Sequence, residues 1–341
     1  MYIRICLLIS LLCGLACTPE ETSTYERFFF RNDGADLAVE VNGNIQSGVF
    51  ILLLHGGPGG HGFEYNTGAF TEDMETDYAM VYLDQRGQGA SQGNYAPEDV
   101  SLQKFSDDIY ALSQFLKQKY GEDISLFLMG HSWGGTTGTH ALLNTDVQDE
   151  LNGWIEVAGA HDIPLLYKES IDMFIRIGTR EIARFNNVRD WTDIIAYAAG
   201  VNRNNVSDEE AGVLNSYGFE AEALIEEIAE GEFGTASHGL FTSPVASLAS
   251  LFSATATASA INAETESASM TDRLGEITIP SAFLWGEYDF VVPPALGESA
   301  FERVGTDEKR LIIFEQSGHS PMDNEPELFT QAVQQFIETY R

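Results

Sequence analysis

The sequence predicts an α/β protein with a mostly parallel central sheet flanked by helices and a helical cap inserted before the last two strands. Three observations predict it. Continuous apolar runs of strand length, Val49–Leu54, Ala79–Leu83 and residues 126–129, have the composition of strands buried on both faces, as in parallel sheets. Segments of helical spacing alternate with them, which is the βαβ rhythm. The alternation stops near residue 161 and resumes near 276, with only helical patches between.

Taken in order, residues 25–32 and 38–41 read as two short strands joined by Asn32-Asp33-Gly34, a hairpin-type turn. A second turn, Asn42-Gly43-Asn44, leads into the Val49–Leu54 strand, and Ala79–Leu83 is the next. Between residues 97 and 120, Phe105, Ile109, Leu112, Phe115 and Leu116 recur at helical spacing, and Gly121 stops the helix. The strand at 126–129, a helix over 136–143 and a strand at 154–158 follow. The cap, 161–275, carries helical patches at 164–177, 191–199 and 220–228. Its Ala/Ser/Thr-rich tract, 243–269, has Leu248, Leu251 and Phe252 on a greasy face and reads as helix or lid. Strands at 279–285 and 310–314 and a final helix, Pro326–Tyr340, complete the core. The divisions are therefore 1–17 signal, 18–24 tether, 25–160 first core part, 161–275 cap and 276–341 second core part.

Of 341 residues, 44% are hydrophobic, enough for a large buried core, which excludes global disorder. The chain has 18 Lys+Arg against 52 Asp+Glu, a formal net charge of −34. Such a surface repels phosphate backbones and anionic lipid heads, so nucleic acid is not an expected partner. It speaks first for solubility or a salty medium, and second for attraction of cationic or free-amine substrates.

The N-terminus reads as a targeting segment. Arg4 precedes a short apolar run, 5–12, and the chain turns polar after Gly14-Leu15-Ala16-Cys17. This resembles a bacterial lipoprotein signal, in which cleavage before Cys17 leaves that residue to be lipidated, although Gly14 stands where such signals usually carry Leu. Plain secretory cleavage after Ala16 is the alternative. The expectation is an exported protein, anchored to the cell envelope only through a lipid on Cys17, or else secreted or periplasmic. All three cysteines, Cys6, Cys13 and Cys17, lie in this segment, so the remainder has no disulfide, thiol nucleophile or cysteine metal site.

Chemistry concentrates at strand ends. Gly130-His131-Ser132-Trp133-Gly134-Gly135 follows an apolar strand and opens a helix, the context of a nucleophile elbow. A hydroxyl nucleophile of this kind needs an acid and then a histidine later in the chain. Gly286-Glu287-Tyr288-Asp289 follows the 279–285 strand, and Ser317-Gly318-His319 follows the 310–314 strand. His319 takes the Ser132 proton in this reading, oriented by Asp289 or, two residues earlier, by Glu287, with Tyr288 placed to shield the pair. His161, after the 154–158 strand, is a pocket candidate. The oxyanion needs two donors: the Trp133 N–H, directly after the nucleophile, and the Gly57 N–H in His55-Gly56-Gly57-Pro58-Gly59-Gly60. No Gly-Lys-Ser/Thr follows these glycines, so a phosphate loop is a weak rival. No metal or cofactor is called for.

Together, His55-Gly-Gly-Pro-Gly59, Asp84-Gln-Arg-Gly-Gln-Gly-Ala-Ser91, Gly130-His-Ser-Trp-Gly-Gly135 and Gly286-Glu-Tyr-Asp289 resemble the proline iminopeptidase branch of the α/β-hydrolase fold. The resemblance covers the core on both sides of the cap. It implies a metal-independent enzyme that removes an N-terminal residue, often proline, from small peptides. It favours Asp289 over Glu287, and it implies that Asp84 and Arg86 form an ion pair bracing the loops. Two departures stand out. His131 replaces the usual Gly, giving a Gly-His-Ser-x-Gly shared with many esterases, and the cap does not align with the family's. Cap glutamates hold the substrate amine in those peptidases; Glu169, Glu181, Glu220, Glu222, Glu226 and Glu227 are the candidates here, and the sequence selects none.

The expected function is that of a serine hydrolase, an aminopeptidase of the prolyl type acting through an acyl-enzyme on small peptides. A carboxylesterase or other small ester or amide hydrolase is the alternative, because the same nucleophile and donors serve both. Dehalogenase and epoxide-hydrolase chemistry is disfavoured, since those relatives attack with Asp at the elbow. A non-catalytic binding protein on the same fold is the remote alternative.

Overall fold

The computed structural model describes residues 24–94, 96, 99–231 and 260–341. The expected signal, including Cys17, the tether up to residue 23 and the 243–259 part of the Ala/Ser/Thr-rich tract lie outside the described residues, while Thr24, the tether's last residue, opens the first strand. Among the described residues, nine strands form one sheet: β1 (Thr24–Asn32), β2 (Ala35–Gly43), β3 (Val49–Leu54), β4 (Ala79–Leu83), β5 (Gln92–Gly93), β6 (Ser125–His131), β7 (Gly153–Val157), β8 (Ser281–Gly286) and β9 (Lys309–Phe314). Their order is β1-β2-β4-β3-β6-β7-β8-β9, with β5 paired to β2. The pairings from β4 through β9 are parallel, and β2 is antiparallel to β1, β4 and β5. The expected hairpin closes sooner, its second strand starting at Ala35. Asp33 and Gly34 both take positive φ, 41° and 80°, the twist that suits a two-residue connection.

Alternate residues of the parallel strands serve two cores. Phe50, Leu52, Leu54, Leu126 and Leu128 face one layer of helices, whereas Ile51, Leu53, Phe127 and Met129 face the other. The first layer holds α2 (Leu102–Tyr120), α3 (Trp133–Asn144) and, after the cap, α7 (Pro294–Arg303); the second holds α1 (Ala69–Asp77) and α8 (Pro326–Tyr340). Ser101 caps α2 by accepting from the Lys104 N–H, and Gly121 at φ 132° ends it, as its sequence predicts. Neither α1 nor α7 is named from the sequence: α1 has few apolar residues, and α7 is short, with Pro294 at its first position and only Leu296, Gly297 and Ala300 buried.

The chain runs from β3 to its neighbour β4, then crosses back past β3 to β6. The loops after β3 and β6 therefore diverge, opening the crevice in which doubly wound sheets place their sites. Above it, between β7 and β8, lie α4 (Ile163–Ala183), α5 (Val188–Gly200), α6 (Asp208–Ala223) and a helical turn over 260–266. Phe174, Trp191, Ile194, Leu214 and Ala221 form a cap core that also takes Tyr288 and Phe290. Of the helix expected at 220–228, only 220–223 is helical, as the tail of α6, which starts at Asp208 and ends at Ala223; 224–228 forms turns. Gly212 and Gly218 interrupt the apolar spacing of α6, so its periodicity is weak. Its start is written instead in the Ser207/Glu210 capping box.

Two expectations are corrected. Asp84 and Arg86 do brace the loops, but not as a pair. Buried Asp84 accepts from the Gly62 and Ala90 N–H groups, while buried Arg86 binds Asp108 at 2.7 and 2.8 Å and donates to the Asp33 carbonyl. Facing opposite ways, each carries its own loop. His161, expected at the pocket, is instead fully buried against Glu156, 2.7 Å away, on strand β7. Removing one partner of a buried ion pair leaves an uncompensated charge, so Asp108→Ala is expected to cost about 3–5 kcal/mol, read as a lower urea midpoint. Wild-type stability in that variant would mean that Arg86 is hydrated.

Candidate active site

Strand β6 ends at His131, and Ser132 makes the turn into α3 with φ 55° and ψ −117°. That conformation costs an L-residue on the order of 1–3 kcal/mol, and the surroundings hold it. A side chain on Gly130 would strike the Gly134 carbonyl; on Gly134, the Leu54 carbonyl of β3; on Gly135, the backbone of Gly159 after β7. The glycines thus let three loops close on one turn. Ser132 N–H donates to Val157 O at 3.0 Å, and its carbonyl accepts from Gly135 and Ala160. Among the described residues its hydroxyl makes no hydrogen bond, as is common before substrate draws such contacts tight.

Asp289 and His319 come together at the ends of β8 and β9. Asp289 Oδ2 lies 2.9 Å from His319 Nδ1, and Oδ1 accepts from the Val291 and Val292 N–H groups at 3.0 and 2.7 Å. Glu287, the rival acid, is exposed, because the turn points it away. His319 is only 6% exposed. Burial disfavours its charge, but the Asp289 carboxylate outweighs that cost and raises its pKa above the ordinary 6.5. Tyr288 is buried in the cap core, with Arg180 over its ring, so it ties the acid loop to the cap.

The loop after β3 is pinned at several points. Gly59 N–H donates to Gln88 Oε1 at 2.6 Å, and Gln85 N–H to His55 Nε2 at 3.2 Å. Burial holds His55 down to about 4, so it stays neutral. Gly57 sits at φ 148°, where a side chain would meet the Gly59 backbone. Trp133 is the first residue of α3, so its N–H has no acceptor within the helix. Gly57, Ser132 and Trp133 line one cavity of about 290 Å³ beneath the cap. A carbonyl carbon placed at Ser132 in this setting can be attacked by a hydroxyl while backbone donors meet its oxygen.

The cap supplies acids that the sequence did not single out. Asp208, at the start of α6, and Glu266 line the same cavity, whose lining includes no basic side chain among the described residues. Tyr167 donates to Glu266 at 2.5 Å, and Asn262 to Asp208 at 2.9 Å. Burial and the charge of Asp208 push the Glu266 pKa upward. Of the six glutamates named from sequence, Glu181 and Glu227 pair with Arg180 and Arg184. Glu222 instead reaches the site loops, accepting from the N–H of Phe290 at 3.2 Å and of His319 at 3.1 Å. Burial, then the nearby Asp289, raise it to about 7. A linear reading does not mark Asp208 or Glu266 and does not single out Glu222 among the six glutamates, because the two ends of α6 and the 260–266 turn are brought to the site only by the packing of the cap. The Asp289 charge that raises His319 also gives a test: in wild type the His319 ring is expected to titrate above pH 6.5 by NMR. Asp289→Asn removes the carboxylate but not the burial, and so moves that titration downward; an unmoved titration would separate the two side chains.

Residues 49–326 match the family model described as alpha/beta hydrolase fold. Among curated proteins, the chain is 24% identical over 311 residues to the probable aminopeptidase YbaC of Bacillus subtilis (strain 168), covering 86% of this chain and 90% of that one. Among solved structures, the proline iminopeptidase-related protein TTHA1809 from Thermus thermophilus superposes with a TM-score of 0.63 at 19% identity, covering 93% of this chain and 98% of the other. The esterase EaEST from Exiguobacterium antarcticum does so with a TM-score of 0.57 at 20% identity, covering 91% and 98%. The strand order, the cap between β7 and β8 and a match over most of the core agree: the chain belongs to the alpha/beta hydrolase fold family.

Proposed function

We propose that the protein is a serine hydrolase that removes N-terminal residues from small peptides. Ser132 is the nucleophile, His319 the general base and Asp289 the residue that orients it. His319 takes the Ser132 proton as Oγ attacks the carbonyl carbon, and the Gly57 and Trp133 N–H groups stabilise the oxyanion. Collapse of the tetrahedral intermediate breaks the C–N bond as His319 returns its proton to the leaving amine. Water, activated by the same histidine, then releases the acyl group. Helices α4, α5 and α6 and the turn over 260–266 act as the cap that selects substrate.

The observation that carries the aminopeptidase reading is the acidic cavity at Ser132. Asp208 and Glu266 share it with no basic side chain among the described residues, and a protonated α-amine bound there would offset the burial and the Asp208 charge that disfavour an ionised Glu266. The name of the Bacillus subtilis relative points the same way. The second reading is an esterase. It is favoured by the Gly-His-Ser-x-Gly elbow and by the esterase that shares the fold.

Two experiments test this. Ser132→Ala is expected to abolish labelling by a fluorophosphonate, and persistent labelling would remove Ser132 from the reaction. On prolyl or alanyl arylamides, Glu266→Gln is expected to raise KM about 10-fold or more, the worth of a charge-assisted hydrogen bond, and to leave N-acetylated substrates unaffected. Faster turnover of short acyl esters than of amino-acyl arylamides would establish the esterase. We further propose that the protein is exported and lipidated on Cys17, on the N-terminal pattern alone; radiolabelled palmitate that enters Cys17→Ala as well as wild type would overturn this.

A further inference from the structure

His131, the elbow's departure from the iminopeptidase pattern, sits between the three loops that make the site. Its Nε2 lies 2.9 Å from the carbonyl oxygen of His319, and its Nδ1 lies 2.6 Å from the Tyr65 hydroxyl, which in turn accepts from the Gly56 N–H at 3.0 Å. These partners dictate the tautomer. A carbonyl can only accept, so Nε2 carries the proton; a neutral imidazole then offers a lone pair at Nδ1, and the Tyr65 O–H donates to it. The chain of bonds runs in one direction, from Gly56 N–H through Tyr65 O–H to His131, and from His131 Nε2–H to the His319 carbonyl.

Burial and the neighbouring His319 ring, 4.9 Å away, hold the His131 pKa down to about 3, so this neutral form persists wherever His319 can act as a base. Burial likewise raises the Tyr65 hydroxyl, which keeps its proton. Gly56 is next to the expected oxyanion donor Gly57, and the site a Cβ would occupy on Gly56 is 3.1 Å from the Tyr65 hydroxyl and 3.4 Å from Ser132 Cβ. Tyr65 and His131 thus hold two peptide groups, the Gly56 N–H of the oxyanion loop and the His319 carbonyl of the base loop, and tie both to the elbow that carries His131.

We propose that Tyr65 and His131 are positioning residues that set the Gly57 donor and the His319 imidazole relative to Ser132. The proposal rests on the serine-hydrolase reading, and it gives the His131 of the elbow a task independent of substrate class. Neither side chain touches the reacting atoms. Tyr65→Phe deletes the hydroxyl and with it both the Gly56 and the His131 bonds, without adding volume.

The test uses the full-length protein and measures kcat, KM and the pH dependence of kcat/KM on an alanyl arylamide, alongside thermal melting. Tyr65→Phe is expected to lower kcat about 10- to 100-fold, less than the loss of an oxyanion donor itself. KM should stay within about twofold, and the acid limb set by His319 should not move. His131→Gly, which leaves an imidazole-sized gap, is expected to lose kcat similarly and to regain part of it with added imidazole. Unchanged kcat in Tyr65→Phe would overturn the proposal. So would a loss that tracks only the fraction of folded enzyme, or a failure of imidazole to restore kcat in folded His131→Gly. Failure of the underlying reading would show separately, as fluorophosphonate labelling of Ser132→Ala.

Discussion

The structure depends on one strained residue. Ser132 holds a backbone conformation that L-residues avoid, and it can do so only because three glycines let β3, the elbow and the loop after β7 pack at backbone contact. That close approach fixes more than the turn. It puts the Trp133 N–H at the free end of a helix, brings Gly57 to the same cavity, and turns Ser132 toward the space beneath the cap. The strain is offset by the two cores on either side of the sheet, whose alternating Phe, Leu, Ile and Val residues leave the strands nowhere to move.

Around the elbow, buried polar groups do what apolar packing cannot, which is to fix loops in orientation. Asp84, Arg86 with Asp108, and His55 each satisfy backbone groups of the loops beside the site. Tyr65 and His131 extend this to the base loop, and Glu222 reaches it from the cap. A buried carboxylate or imidazole is costly when unpaired, so each of these groups resists displacement of the loop it holds. The acidic surface of the whole chain and the acids inside the cavity act at different ranges: the first is screened within a few water layers at physiological salt, and the second works at contact with a bound amine.

How much of this was legible in the sequence follows from how local each feature is. The parallel strands were legible because burial on both faces leaves an uninterrupted apolar run, and the helix Pro326–Tyr340 because one face repeats through it. Ser132, Asp289 and His319 were nameable because each closes a strand in the required order. The start of α6 was missed although Ser207 and Glu210 announce it, since its glycines and polar residues break the apolar spacing. The Asp84–Arg86 pairing was wrong because two charges close in sequence can face opposite sides of a loop.

By itself, then, the sequence determined the fold class, the elbow, the two candidate partners and the glycine-rich loop, because strand periodicity and turn stereochemistry are properties of neighbouring residues. The tertiary structure alone decided that Asp289 rather than exposed Glu287 meets His319, and that Asp208 and Glu266 share the cavity. It also decided that His131 bonds Tyr65 and the base loop. The physical reason is that each of these is a contact between residues far apart in the chain. Its distance is set by how the sheet and the cap pack, which no local pattern encodes.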